Sequence, residues 1–96
     1  MKIEAIRHTG TYPDLYLKDR RTVVITLRTA KRDCHFCKIH IFPRTDPEKI
    51  RGIEMKCILR DRVFDYFQTE IRFSKVARYQ KYYFELSDGA ASWYLN

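Results

Sequence analysis

Thr22-Val23-Val24-Ile25-Thr26-Leu27-Arg28 is the stretch that decides the fold. Val23, Ile25 and Leu27 recur at every second position, and Thr22, Thr26 and Arg28 occupy the alternate ones. Side chains of an extended chain point to opposite faces in turn, so this segment reads as a strand with one apolar and one polar face. The same alternation returns four times. Cys37, Ile39 and Ile41 alternate with Lys38 and His40, and Ile53, Met55, Cys57 and Leu59 with Glu54, Lys56 and Arg60. Further on, Phe67, Thr69, Ile71 and Phe73 alternate with Gln68, Glu70 and Arg72, and Tyr82, Phe84 and Leu86 with Lys81, Tyr83 and Glu85. Half-buried segments joined by polar links predict antiparallel sheet.

Shorter strand candidates lie at residues 2–8, 15–18 and 92–95. Asp88-Gly89 predicts a hairpin, because glycine tolerates the positive φ of a tight primed turn. Arg60-Asp61-Arg62 reads as a second hairpin link, and Asp46-Pro47-Glu48 as a capped helical turn with proline at its first position. Seven or eight strands in so short a chain predict an all-β fold, an immunoglobulin-like antiparallel β-sandwich, with a small barrel as the runner-up. The Cys–Trp–Cys spacing of antibody domains is missing. No repeat, low-complexity segment or linker interrupts the chain, so residues 1–96 read as one domain.

Composition narrows the functional classes. Apolar residues make up 45% of the chain, which excludes a disordered segment. The net charge of +7 suits nucleic acid, an acidic partner surface or simple solubility. The densest basic residues are Lys18, Arg20, Arg21, Arg28, Lys31, Arg32 and Lys38, but Asp19 and Asp33 interrupt them and no long run of one sign forms. The first 20 residues hold no apolar stretch of the kind a signal peptide needs, so neither a leader nor a membrane span is expected. The three cysteines are an odd number, which fits free thiols and a reducing, cytoplasmic setting.

Catalytic and metal chemistry find little to work with. Cys34-His35-Phe36-Cys37, followed by His40 and Cys57, invites a zinc reading, since zinc needs about four converging ligands. Alternation sends Cys37 and His40 to opposite faces, and Cys37 and Cys57 fall on apolar faces where a thiol acts as a small hydrophobe. Cys34 as a nucleophile, with His8, His35 or His40 as base, lacks the helix terminus or cation that would hold a thiolate. Ser74, Ser87 and Ser92 lie in no nucleophile elbow, and no glycine-rich phosphate loop exists. No catalytic residue, metal ligand or cofactor is expected in this chain.

The aromatic surplus points to binding. With seven Tyr, six Phe and one Trp, the rings of Tyr12, Tyr16, Phe42, Tyr66, Tyr79, Tyr83, Trp93 and Tyr94 cannot all be interior if the alternation holds. Exposed rings suit sugar stacking, base stacking or a protein interface.

Four segments carry a family resemblance. Glu4-Ala5-Ile6-Arg7-His8 resembles the start of neopullulanase, cyclomaltodextrinase and maltogenic amylase chains, where a strand carries a similar run. Residues 22–31 are similar to that family's next long strand, ending in Leu27-Arg28-Thr29-Ala30-Lys31. Phe64-Asp65-Tyr66-Phe67 resembles its F-D-Y-W segment, and Arg78-Tyr79-Gln80-Lys81-Tyr82-Tyr83-Phe84-Glu85-Leu86-Ser87-Asp88-Gly89 is similar to its R-Y-x-F-x-L hairpin before a final Y strand. The order matches over nearly the whole chain.

The resemblance implies a non-catalytic N-terminal sandwich, of carbohydrate-binding module family thirty-four, in a longer α-glucan hydrolase of the α-amylase superfamily. The catalytic carboxylates of such enzymes lie in a following barrel that acts on α-1,4 or α-1,6 glucans. The implied partners are an α-glucan (maltodextrin, cyclodextrin or starch), the catalytic barrel of the same enzyme, and a second subunit in a homodimer. Tyr12, Trp93 and Tyr94 are the candidate carbohydrate-binding residues. Asp46, Pro47 and Ile50 are the candidate interface residues, in a loop (residues 43–52) that departs from the family by holding no aromatic. Two alternatives come from other classes: a basic single-stranded nucleic-acid module, and a stand-alone protein-interaction sandwich.

Overall fold

The computed structural model describes residues 1–74 and 80–96. Among the described residues eight strands form two four-stranded antiparallel sheets packed face to face. The first sheet has the order β1 (Leu15–Asp19), β2 (Thr22–Ala30), β6 (Phe64–Arg72), β5 (Lys56–Arg60). The second has the order β4 (Arg51–Glu54), β3 (Phe36–Pro43), β7 (Gln80–Ser87), β8 (Ser92–Leu95). This is the immunoglobulin-like sandwich that the alternation predicts. Val23, Ile25 and Leu27 of β2 and Phe67 and Ile71 of β6 face Cys37, Ile39 and Ile41 of β3 and Phe84 and Leu86 of β7. Cys34 and Met55 close the core from the connections. Burying this apolar set on both inner faces is what holds two otherwise wet sheets together.

The outer face of β2 is less polar than its alternation suggests. Thr22 and Val24 are buried there, Val24 lying in register between Tyr16 of β1 and Glu70 of β6. Lys18 pairs with Glu70 at 3.1 Å across the same surface.

A polar link crosses between the sheets. His8 Nδ1 lies 2.8 Å from the carbonyl of Thr26, and its Nε2 lies 2.7 Å from the Tyr82 hydroxyl. A carbonyl can only accept, so Nδ1 carries the proton, and in the neutral ring Nε2 accepts from the tyrosine.

Several local expectations are corrected. The alternating run from Ile53 to Leu59 is not one strand: it breaks at buried Met55, and the chain crosses there from the second sheet to the first. A bulge then follows, since Cys57 pairs with Phe67 and Leu59 pairs with Tyr66, leaving Ile58 as the extra residue. One extra residue inverts the facing of everything after it. Leu59 therefore turns outward and is 56% exposed, while Arg60 comes level with the buried side chain of Asp65. Cys57 is exposed as well, because β5 is an edge strand whose every residue meets solvent.

Residues 2–8 form no strand; a single 3-10 turn at Ile3–Ala5 leads to one bridge between Arg7 and Arg28. The hairpin at Asp88-Gly89 is real, but its loop spans residues 88–91 and is not a two-residue turn. Asp88 Oδ1 accepts from the backbone of Ala90 and Ala91, and Gly89 supplies the positive φ of 94°. The link after β5 is likewise held by an aspartate, Asp61 Oδ1 accepting from Val63 and Phe64 at 2.8 and 2.7 Å. At Pro47–Lys49 a 3-10 turn forms with proline at its start, but Asp46 makes no capping bond through its side chain. Its carboxylate instead meets Lys49 Nζ at 3.6 Å.

Candidate functional site

Strand alternation alone puts Lys38 and His40 of β3, and Lys81, Tyr83 and Glu85 of β7, on the outer face of the second sheet. Register brings them together. His40 lies opposite Tyr83, Lys38 opposite Glu85, and Glu85 opposite Tyr94 of β8. The His40 and Tyr83 rings stack at 4.8 Å with 19° between their planes, and Tyr94 follows at 6.1 Å from Tyr83. Three rings thus form a row across three adjacent strands.

Polar groups flank that row. His40 Nε2 lies 2.8 Å from Glu85 Oε1, which fixes the imidazole over Tyr83. On the other side of His40 the register places Gly52 of β4. A Cβ there would lie 2.5 Å from Lys38 Cε and 3.4 Å from His40 Cε1, so the bare glycine leaves the lysine stem room to cross the strip. The result is a strip in which His40 stacks on Tyr83, Tyr94 stands tilted at its exposed end, and a carboxylate and an ammonium lie at its edge. Such a surface offers the exposed Tyr94 ring to the C–H face of a sugar ring and both donors and acceptors to its hydroxyls.

The residues singled out from sequence occupy separate places. Tyr94 is 67% exposed and stands at the end of the ring row. Trp93, its neighbour, lies opposite inward-facing Leu86 and is half-buried on the other face of β8. Tyr12 belongs to the loop before β1, 76% exposed and 5.4 Å from Tyr16, over the first sheet. Asp46, Pro47 and Ile50 lie together in the loop between β3 and β4, with Ile50 partly in solvent. Tyr79 and Arg78 lie outside the described residues. His40, Tyr83 and Glu85 were missed as a set. Their outward phase is readable in the sequence, but their mutual contact depends on a register between strands some forty residues apart.

The thiols and basic residues settle into structural places. Burial raises the Cys34 thiol above the ordinary cysteine value and the Cys37 thiol further, so both stay protonated at neutral pH. Cys37 points inward against Met55 Sδ at 3.6 Å, and His40 points outward. Among the described residues no three His, Cys, Asp or Glu side chains converge as metal ligands would. Of the basic cluster, Lys18 is paired with Glu70, Arg28 lies over the ring of Phe64, and Lys38 is on the opposite sheet. No helix among the described residues is long and apolar enough to cross a membrane.

Comparison with known proteins adds two findings. A family model described as "Alpha amylase, N-terminal ig-like domain" matches residues 1–96. Among solved structures the chain is similar to one described as "Cyclomaltodextrinase", with a TM-score of 0.91 and 24% sequence identity. That likeness covers 99% of this chain but 16% of the cyclomaltodextrinase chain. No protein among the curated sequences matches.

Proposed function

Since the chain belongs to the family of N-terminal immunoglobulin-like domains of α-amylases, we propose that it is the non-catalytic N-terminal part of a longer α-glucan hydrolase of neopullulanase or cyclomaltodextrinase type. Its work is to present α-glucan through the outer face of the second sheet and to support assembly of the enzyme. The row of His40, Tyr83 and Tyr94, with Glu85 at its edge, is the observation that carries this reading. Catalytic carboxylates, and a choice of α-1,4 or α-1,6 bonds, belong to the remainder of such an enzyme. The three free thiols fit a cytoplasmic setting.

Affinity electrophoresis in amylopectin, with titration of a cyclodextrin followed by NMR, tests the binding role. Tyr94→Ala is expected to weaken α-glucan binding by about five- to tenfold, the worth of one stacked ring. Because Tyr94 is mostly exposed, stability should stay within about 0.5 kcal/mol of the parent. Retardation that is absent in the parent chain, or unchanged in the variant, removes the strip from consideration.

Assembly is supported by apolar side chains left in solvent. Ile58 and Leu59 of the edge strand β5 and Val63 in the link after it are each more than half exposed, and Ile50 is 44% exposed in the loop before β4. Edge strands with apolar side chains are ordinarily covered by a partner. We assign the loop of Asp46, Pro47 and Ile50 to the subunit interface. In the full-length enzyme Ile50→Asp should shift sedimentation from dimer toward monomer, and an unchanged dimer would place the interface elsewhere.

A further inference from the structure

Arg7 and Arg28 stand directly opposite each other across an antiparallel bridge, each N–H donating to the other's carbonyl at 3.0 Å. Residues so paired project to the same side, where two like charges repel. A carboxylate between them would relieve the repulsion. Among the described residues neither guanidinium has an ion-pair partner within 4.0 Å. Arg28 is instead held over the Phe64 ring at 3.9 Å, with Nε donating to the Ala5 carbonyl at 3.2 Å, which leaves its two terminal nitrogens to point elsewhere. Asp14 lines the same groove, its Oδ2 accepting from Thr9 N at 2.8 Å and Thr9 Oγ1 at 3.0 Å, which turns that oxygen toward the Thr9 backbone and not toward either guanidinium.

Both arginines line a groove of about 340 Å³ on the first sheet, walled by Tyr12 and Tyr66. The groove is separate from the ring row, which lies on the other sheet. Against the single negative charge of Asp14 on the same wall, the two guanidinium groups leave the groove net positive, with more free N–H donors than the two oxygens of a carboxylate can use. A phosphate monoester carries nearly two negative charges at neutral pH and three acceptor oxygens. Tyr12, largely exposed at the rim, offers a ring face to whatever bears the phosphate.

We propose that this groove binds a phosphate ester carried on a sugar, Arg7 and Arg28 taking the phosphate oxygens and Tyr12 covering the sugar ring. The sugar part of that ligand rests on the carbohydrate reading above; the anion part rests on the opposed arginines alone.

Titration of the chain with glucose 6-phosphate, inorganic phosphate and glucose at low ionic strength, followed by NMR, tests it. Glucose 6-phosphate should bind about tenfold or more tightly than either of the other two, the worth of a charge-assisted bond plus a stacked ring. Arg7→Ala, at an exposed position, should weaken that binding by about tenfold. Tyr12→Ala should bring glucose 6-phosphate down to the level of inorganic phosphate, and Tyr94→Ala should change nothing. Equal binding of glucose 6-phosphate and inorganic phosphate overturns the sugar assignment. Binding unaltered by Arg7→Ala overturns the site. Failure of the α-glucan strip would show instead as maltodextrin binding that Tyr94→Ala leaves unchanged, so the two readings fail separately.

Discussion

Phe84→Ala is expected to remove about 3–5 kcal/mol of stability, the usual loss when a fully buried phenylalanine is emptied from a core. Phe84 is 1% exposed at the middle of β7, opposite Ile39 on one side and Leu95 on the other. Its ring meets His8 edge-on at 4.9 Å and Tyr82 at 5.7 Å, so it also supports the side chains that link the two sheets. A domain of this length has roughly 5–14 kcal/mol to lose, which makes the variant marginal at room temperature. Urea unfolding should show the midpoint falling with the slope unchanged. A loss below about 1 kcal/mol would mean that the side chain does not fill the core in the way described.

Asp65→Asn should be the second most damaging change, by about 2–4 kcal/mol. The carboxylate is fully buried and takes three donors. Arg60 Nε and Nη2 reach it at 2.6 and 2.9 Å, and the backbone N–H of Arg32 at 3.0 Å. Arg32 is the one described non-glycine residue with a positive φ, at 57°, so the same carboxylate holds a turn that an arginine does not favour by itself. An asparagine would set an amide donor against a guanidinium. Because Arg60 is partly in solvent and can regain water, the loss falls short of that for a wholly interior pair.

The pH dependence follows from the same contacts. Arg60, and behind it the Arg32 N–H and the charge of Lys31, hold the Asp65 carboxyl below its ordinary range against the opposing effect of burial. A folded value below the unfolded one, about 3.9, means the stabilisation is complete above that pH. It is lost as the pH falls through the folded value. Asp61 and Asp88, lowered chiefly by the backbone N–H groups that their side chains cap, act in the same direction. Stability should therefore hold level near neutral pH and decline below about pH 4, less steeply in Asp65→Asn than in the parent. Parallel acid limbs in chemical unfolding of the two proteins would show that Asp65 is not the group responsible.

Much of this fold was legible in the sequence because its signal is local. Period-two alternation depends only on which way successive side chains point, and it located β2, β3, β6 and β7 and the inward residues of each. Asp88-Gly89 marked a hairpin because glycine takes a positive φ, and Arg60-Asp61-Arg62 marked a second link; in both, the structure adds an aspartate that accepts from the N–H groups of its own loop. Alternation cannot say which sheet a strand joins. The run from Ile53 to Leu59 keeps its rhythm in sequence while the chain changes sheets at Met55 and slips by one residue at Ile58. That slip alone turned Leu59 out to solvent and brought Arg60 to Asp65.

The sites were less legible than the fold, for a related reason. Tyr94, Tyr12 and the outward phase of Tyr83 could be read as exposed rings, and the resemblance to α-amylase N-terminal domains supplied a ligand class for them. Which rings share a surface is decided by pairing between β3, β7 and β8, and Trp93 faces away from Tyr94 although the two are adjacent in the chain. The meeting of Arg7 with Arg28 likewise depends on one bridge made after a 3-10 turn where a strand was expected. Local alternation determined that this protein has two wet sheet faces over one dry core. Only the long-range register, set by how the two apolar faces pack, decided which side chains on those faces stand together.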